Sequence, residues 1–285
     1  MECFGVVGGD KRQLYLARSL REDGFPVVLH GLETLETAGE FPTMSMEELG
    51  KHCQIVLLPL PTTRDGKTLN APYGKEPVLL NDSFAKALCS CEVMGGMVGK
   101  LEKTSPLWES ISLSDYYKRE ELTLGNAFLT AEGAIALAVA EFPGALAGSR
   151  CLVTGFGRIG KALCPALRSL GAHVDCCARK PWDLAAIRAL GCTALEYGQI
   201  QDRYDIIFNT VPALVLGEEP LSLQGTDTLL LELASAPGGI DRQAAGKYHL
   251  RVVDAPSLPG RFSPKASGEL IKEAVYHILR ERRKL

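Results

Sequence analysis

Gly155-Phe156-Gly157-Arg158-Ile159-Gly160, entered from the apolar run Cys151-Leu-Val-Thr154, carries the clearest chemical signal in the chain. The first glycine permits a tight turn, the second lets the backbone approach a pyrophosphate, and the third lets a helix pack close to the strand. Phosphates are attracted there by unpaired N–H groups and by the helix dipole. The spacing predicts a dinucleotide site, with a plain glycine turn as the alternative. About 20 residues after such glycines, an NAD site usually offers an acidic side chain to the ribose hydroxyls. Here the second strand, read over residues 171–180, ends in Ala178-Arg179-Lys180, and Asp175 lies too early in it. Two cations suit a 2′-phosphate, which arginine grips bidentately, so NADP is expected rather than NAD. A solvated charge pair is the competing reading. Asn209-Thr210-Val211-Pro212 follows a further strand and is expected to shape the nicotinamide side of the pocket.

Other reactive types lie at strand ends, where parallel α/β sheets collect ligands. In the first half these are Asp10, Arg12 and Gln13 after Gly8-Gly9, then Thr62, Thr63, Arg64 and Asp65 after Pro59-Leu-Pro61, then Asn81 to Ser83. Arg12 and Arg64 are expected to bind substrate carboxylates through paired N–H donors, or else to form surface salt bridges. Thr63 joins them as a hydrogen-bonding candidate. In the second half, Ala255 to Lys265 reads as an ordered, proline-rich, positively charged loop bearing Arg261 and Lys265. For proton transfer the candidates are Asp10, Asp65 and Ser235, although an Asp10–Arg12 pair is equally readable as structural. His30, His52, His173, His249 and His277 occupy no persuasive catalytic positions.

The elements that must hold these groups read as α/β. Phe4–Gly9, Phe25–His30, Ile55–Leu58, Val78–Leu80 and Val93-Met94 are short apolar strand candidates alternating with helical patterns, which argues for a parallel sheet. Thr130 to Phe142, rich in alanine and leucine, predicts a buried helix capped by Thr130. Leu163, Leu167 and Leu170 give the helix after the glycines its core face, with Pro165 expected to kink it. Tyr204–Phe208, Thr228–Leu231 and Val252-Val253 continue a second sheet, and Glu269–Leu279 predicts a last helix. The expected organisation is two Rossmann-like domains with parallel sheets, joined by interdomain helices, with a cleft between them. Its parts are an N-terminal α/β substrate domain over residues 1–125, an interdomain helix over 126–148, an NADP-binding domain over 149–265, and a helix over 266–285 packing back toward the first domain.

Length and composition agree: 285 residues suggest two domains, and 46% apolar with 23% charged residues is ordinary for a globular enzyme. A formal charge of −3 and the lack of a Lys/Arg stripe argue against nucleic acid. The short basic run Arg280 to Lys284 follows a helix, where cations complement the dipole. Nine scattered cysteines form no C-x-x-C pair and fit no zinc spacing, so no metal is expected and the thiols read as buried small hydrophobes in a reducing compartment. With neither a signal core nor an apolar run of about 18 residues, the expectation is a cytoplasmic protein without membrane contact.

Taken in order, Gly8-Gly-Asp-x-Arg-Gln13, Pro59-x-Pro61 with Asp65-Gly66, Gly155 to Gly160, Asn209 to Pro212, Ala234-Ser-x-Pro-Gly-Gly239 and Leu258-Pro-Gly-Arg-x-x-Pro264 resemble the family of dipicolinate synthase A chains over almost the whole sequence. Glu232 stands where an aspartate is expected. The resemblance implies an NADP-binding oxidoreductase component of a sporulation enzyme. It would act in the mother cell of a spore former, in a heteromeric complex with a flavoprotein-like second polypeptide, and self-associate as well. It implies a small dicarboxylate substrate, dihydrodipicolinate or a hydroxylated tetrahydro precursor, aromatised to pyridine-2,6-dicarboxylate. The architecture also resembles two-domain 2-hydroxyacid and alanine dehydrogenases. A generic hydroxyacid or imino-acid dehydrogenase, or a nucleotide-sensing scaffold whose chemistry lies on a partner, stays open.

Overall fold

The computed structural model describes residues 2–283, so Lys284 of the basic run lies outside the described residues. The chain divides into two compact units, residues 1–126 with 263–285, and residues 127–262.

In the first unit, β1 (Phe4–Val7) is wholly buried. It runs into α1 (Lys11–Glu22), whose N-terminus is capped by Asp10 and whose Leu14, Leu16, Ala17 and Leu20 face the core. β2 (Val27–His30) follows. The Ser45/Glu48 capping box starts α2 (Met46–His52), because each side chain satisfies a backbone N–H that the helix leaves unpaired. Then come β3 (Ile55–Leu57), α3 (Asp82–Ala87), β4 (Glu92–Gly95) and β5 (Ser112–Asp115). The sheet is parallel, in the order β2-β1-β3-β4-β5. One expectation fails here. Val78–Leu80 joins no sheet and contributes one antiparallel bridge, Thr68 to Leu79. The edge strand is instead the polar Ser-Leu-Ser-Asp segment, which an edge tolerates because only one side of it is paired.

α4 (Glu120–Glu141) crosses from the first unit's residues into the second's. It begins ten residues before the expected Thr130 cap, with Glu120 and Glu121 complementing the positive end of the dipole. At 22 residues, with a mean hydropathy of 1.5 over an 18-residue stretch, it is long and apolar enough to span a membrane, against the expectation that the chain contains no such run. Its Ala131, Ala134, Leu137 and Ala138 are buried in the core of the second unit, but Leu124, Phe128 and Val139 are exposed, so the helix is only part-buried, against the expectation of a buried one.

The second unit contains β6 (Arg150–Thr154), α5 (Arg158–Ser169), β7 (His173–Cys177), α6 (Pro181–Ala189), β8 (Thr193–Leu195) and β9 (Ile206–Asn209). It continues with α7 (Glu218–Ser222), β10 (Leu229–Glu232), α8 (Arg242–Lys247), β11 (Arg251–Asp254) and α9 (Leu258–Phe262). The parallel order β11-β10-β9-β6-β7-β8 reverses direction between β6 and β9, and ligands of doubly wound sheets bind beyond such a switch point. α5 runs unbroken through Pro165. The segment read as a loop over 255–265 contains α9, and α10 (Pro264–Arg283) starts five residues before the expected Glu269. α10 belongs to the first unit, where its Ile271, Ala274, Val275, Ile278 and Leu279 join the core that β1 and α1 build.

Candidate functional site

The glycine loop lies at the carboxyl end of β6, beside the reversal in strand order. Gly155 has a φ of +94°, which favours glycine, and its N–H donates to the Cys177 carbonyl at 3.0 Å. A Cβ on Gly160 would lie 2.1 Å from the Gly155 carbonyl oxygen, so the helix reaches the turn only without a side chain. A Cβ on Gly157 would meet nothing within 4 Å, and no side chain caps α5 there. The first N–H groups of a twelve-residue helix therefore face an open cradle, as a pyrophosphate requires. Phe156 is buried, with the Lys161 ammonium 5.6 Å from its ring centre, and Ile159 packs on the core beneath. Arg158 is the first residue of α5.

Two further loops border this cradle. The loop after β9 touches it directly: a Cβ on Gly155 would come within 2.7 Å of both Thr210 Oγ1 and Val211 Cγ2. Thr210 Oγ1 donates to the Thr154 carbonyl at 2.7 Å, and Pro212 follows. Beyond β7, Arg179 and Lys180 are exposed, and Arg179 makes no hydrogen bond or ion pair among the described residues. No carboxylate occupies the tip of that strand.

Asn209 and Glu232, both buried, organise the neighbouring strand ends. Asn209 Nδ2 donates to Glu232 Oε1 at 2.6 Å, while Asn209 Oδ1 accepts from Thr154 Oγ1 at 2.5 Å. Glu232 also accepts from the N–H groups of Ala234 (3.1 Å), Gly239 (2.9 Å) and Ile240 (3.3 Å). The longer side chain thus reaches across the Ala234–Gly239 turn and fixes it. In the sequence Glu232 stands out only as a departure from aspartate. A carboxylate at a strand end, seven residues before Gly239, is the available signal for this clamp. Ser235 sits on the same turn, exposed, with no side-chain hydrogen bond among the described residues.

The first unit brings together the loops after β1 and β3. Arg12 donates from Nε to Asp10 Oδ1 and from Nη2 to Asp10 Oδ2, each at 2.9 Å, and from Nη2 to the Leu60 carbonyl at 2.5 Å. Its side chain is only 7% exposed, so this is a structural pair stitching α1 to the Pro59-Leu-Pro61 turn. Asp65 accepts from the N–H groups of Lys67 and Thr68 at 2.8 Å, and from Thr68 Oγ1 at 2.9 Å. These donors hold its carboxyl well below the usual range, with the Thr68 and Lys67 backbone the largest causes. Its basicity is spent on the turn. Thr63 Oγ1 is likewise engaged, donating to the Thr68 carbonyl at 2.6 Å and accepting from Gly66 N–H at 3.0 Å. Arg64 is exposed; its carbonyl accepts from Lys100 Nζ at 2.6 Å, while among the described residues its side chain makes only a long 3.4 Å contact from Nε to Asn70 Oδ1, beside a groove of about 640 Å³ that Lys75 also lines. Asn81 is a helix cap, its Oδ1 accepting from Phe84 N–H at 3.1 Å, which removes Asn81–Ser83 from the cluster.

In the remaining loop, Arg261 is exposed with its guanidinium 5.4 Å from the Phe262 ring centre, and Lys265 is exposed at the start of α10. The thiols are mostly buried, and burial pushes Cys151 up to about 11 and Cys177 up to about 12, so these are inert at neutral pH. Among the described residues no group of three or more His, Cys, Asp or Glu could hold a metal ion.

Residues 3–104 match the family model of the N-terminal domain of dipicolinate synthase A chains. Over 284 residues the chain is 29% identical to the dipicolinate synthase A chain of Bacillus subtilis (strain 168), covering 98% of this chain and 96% of that protein. The chain is similar to the dipicolinate synthase A chains over almost its whole length. The crystal structure of the B. subtilis protein matches with a TM-score of 0.84 at 28% identity, covering 99% of this chain and 97% of that one. The corresponding dipicolinate synthase structure from Bacillus halodurans gives 0.84 at 26%, covering 98% and 97%. A transhydrogenase from Sinorhizobium meliloti shares the fold, at a TM-score of 0.71 and 16% identity over 98% and 94%. The resemblance to dipicolinate synthase A chains read from the ordered loops is borne out, as are the α/β class and the two parallel sheets.

Proposed function

We propose that this chain is the nucleotide-binding oxidoreductase component of a dipicolinate synthase, using NADP to aromatise a dihydropyridine dicarboxylate. The observation that carries the reading is the open glycine cradle after β6 combined with the acid-free, dicationic end of β7. The residues present fit the cofactor. The N–H groups at Gly157 to Ile159 face its pyrophosphate, Arg179 and Lys180 its 2′-phosphate, and Thr210, Val211 and Pro212 its nicotinamide side. Bound there, NADP+ supplies a hydride acceptor.

For dihydrodipicolinate the balance is loss of one ring hydride to NADP+ and one proton to solvent or a base, giving dipicolinate and NADPH. A hydroxylated tetrahydro substrate must also lose water. The exposed guanidinium of Arg64 is assigned to a substrate carboxylate at the first unit; Arg261, exposed in the second unit, and Lys265 are the cations of the later loop. Arg12 supports Arg64 indirectly by fixing the turn that carries it. Of the three proton-transfer candidates, Asp10 and Asp65 are tied into internal hydrogen bonds, which leaves Ser235 as the group free to relay a proton.

A scaffold whose chemistry is completed by a partner is favoured by one observation: both candidate carboxylates, Asp10 and Asp65, are already engaged in internal hydrogen bonds. The family resemblance supports a flavoprotein-like second polypeptide as that partner. Incubating the chain with NADP+ and dihydrodipicolinate, with and without the flavoprotein-like partner, separates the two. Absorbance of NADPH and of the pyridine dicarboxylate rises together from the chain alone if it is catalytic. A rise only with the partner favours the scaffold, and no rise in either overturns the reading.

A further inference from the structure

The two tryptophans of the chain have opposite environments. Trp108 is 4% exposed in the first unit, where it packs against Phe84. Trp182 is 66% exposed, the second residue of α6 and two residues beyond Lys180. The Lys180 ammonium stands 5.2 Å from its ring centre. An indole is costly to leave in water and its packing contributes nothing to the core of this unit, whose buried α6 residue is Ile187. Its position follows from the local chain. β7 ends at Cys177, residues 178–180 form the strand tip, and Pro181 starts α6 with a φ already suited to a helix. That short, stiff connection holds Arg179, Lys180 and the indole within four consecutive residues of the strand end where the adenosine half of a dinucleotide binds.

We propose that Trp182 is the adenine platform of the nucleotide site. The base stacks on the indole while Lys180, held beside the same ring, and Arg179 take the 2′-phosphate. The assignment rests on the NADP reading above and adds to it a specificity division. Trp182 recognises any adenosine, because stacking needs only a π-face, whereas the two cations recognise the phosphate. Lys180 has a double role, since its contact with the indole places its charge without a hydrogen bond that a ligand would have to break.

The full-length chain titrated with adenosine 2′,5′-bisphosphate, followed by calorimetry and tryptophan fluorescence, tests this. The expected results are quenching of wild-type emission, with buried Trp108 as the constant background. Trp182→Phe should bind within about twofold of wild type without the quench, because a π-face remains. Trp182→Ala should bind about tenfold or more weakly, and AMP should weaken by the same factor. Wild-type affinity for both ligands in Trp182→Ala, with circular dichroism unchanged, would overturn the platform while leaving the NADP reading intact. If the wild-type chain takes up no adenine nucleotide at all, both fall.

Discussion

The loop clusters of the two units look alike in sequence and differ in their hydrogen bonding. Beyond β1 and β3, Asp10, Arg12, Thr63 and Asp65 satisfy one another and nearby backbone groups. Beyond β6 and β7, the helix N-terminus lacks a side-chain cap and Arg179 has no partner among the described residues. Polar residues at a strand end are thus divided by what already occupies their lone pairs and protons. Satisfied groups shape a loop, and open ones await a ligand. Arg64 is the member of the first cluster that behaves like the second, exposed and weakly held.

The sharpest way to break this contrast is within the glycine loop. Gly160→Ala forces a Cβ against the Gly155 carbonyl, so it should abolish NADP+ uptake in calorimetry and cost about 3 kcal/mol of stability. Gly157→Ala has room, so its melting temperature should stay near wild type while nucleotide affinity falls. If both variants lost equal stability, the cradle would be a packing feature and not a phosphate site.

Next in size is the pair of arginines in the first unit. Arg12→Ala removes a buried partner of Asp10 and should cost about 3 kcal/mol in urea unfolding. Arg64→Ala should leave stability within about 0.5 kcal/mol and instead lower kcat/KM for the dicarboxylate, assayed with the flavoprotein-like partner present. The reverse pattern would exchange their roles.

Arg179→Ala should weaken NADP+ by about tenfold to a hundredfold, since charge-assisted hydrogen bonds contribute about 1.5–3 kcal/mol, and leave NAD+ unaffected. An unchanged ratio would assign the cation pair to solvent.

The smallest effect concerns Asp65, whose carboxyl is held low by the donors around it. A depressed folded pKa stabilises the protein above the unfolded carboxylate pKa of about 3.9 and ceases to do so as pH falls toward the folded value. Asp65→Asn should therefore flatten the acid limb of stability below pH ~4 and leave neutral-pH nucleotide binding alone. Wild-type acid dependence in the variant would mean that the turn donors do not bind the charged form selectively.

Much of the scaffold is legible from pattern. Buried parallel strands such as Cys151–Thr154 are continuous apolar runs, and glycine spacing reports backbone geometry directly. The exceptions follow from what pattern omits. Ser112–Asp115 is a strand because β4 offers it backbone partners, a fact absent from its own polar sequence. Val78–Leu80 has the composition of a strand but finds no partner beyond one bridge. Composition makes α4 too short because Glu120 to Phe128 lacks the alanine density of its second half, although acids in the first turn favour a helix start. At the site, residue types are legible and their commitments are not: Asp10, Asp65 and Ser235 look equivalent as proton carriers until the donors around each are known.

α10 has a consequence for how the protein is made. It contributes five buried side chains to the first unit's core and is anchored there by Lys272 and Tyr276, both donating to Asp23 at 2.7 Å. The second unit is contiguous, whereas the first is interrupted by 136 residues, 127–262. On the ribosome the later-encoded second unit has all of its chain before the first one does. Residues 2–126 emerge first and stay unfinished, with an apolar face of α1 uncovered, until the closing helix is synthesised.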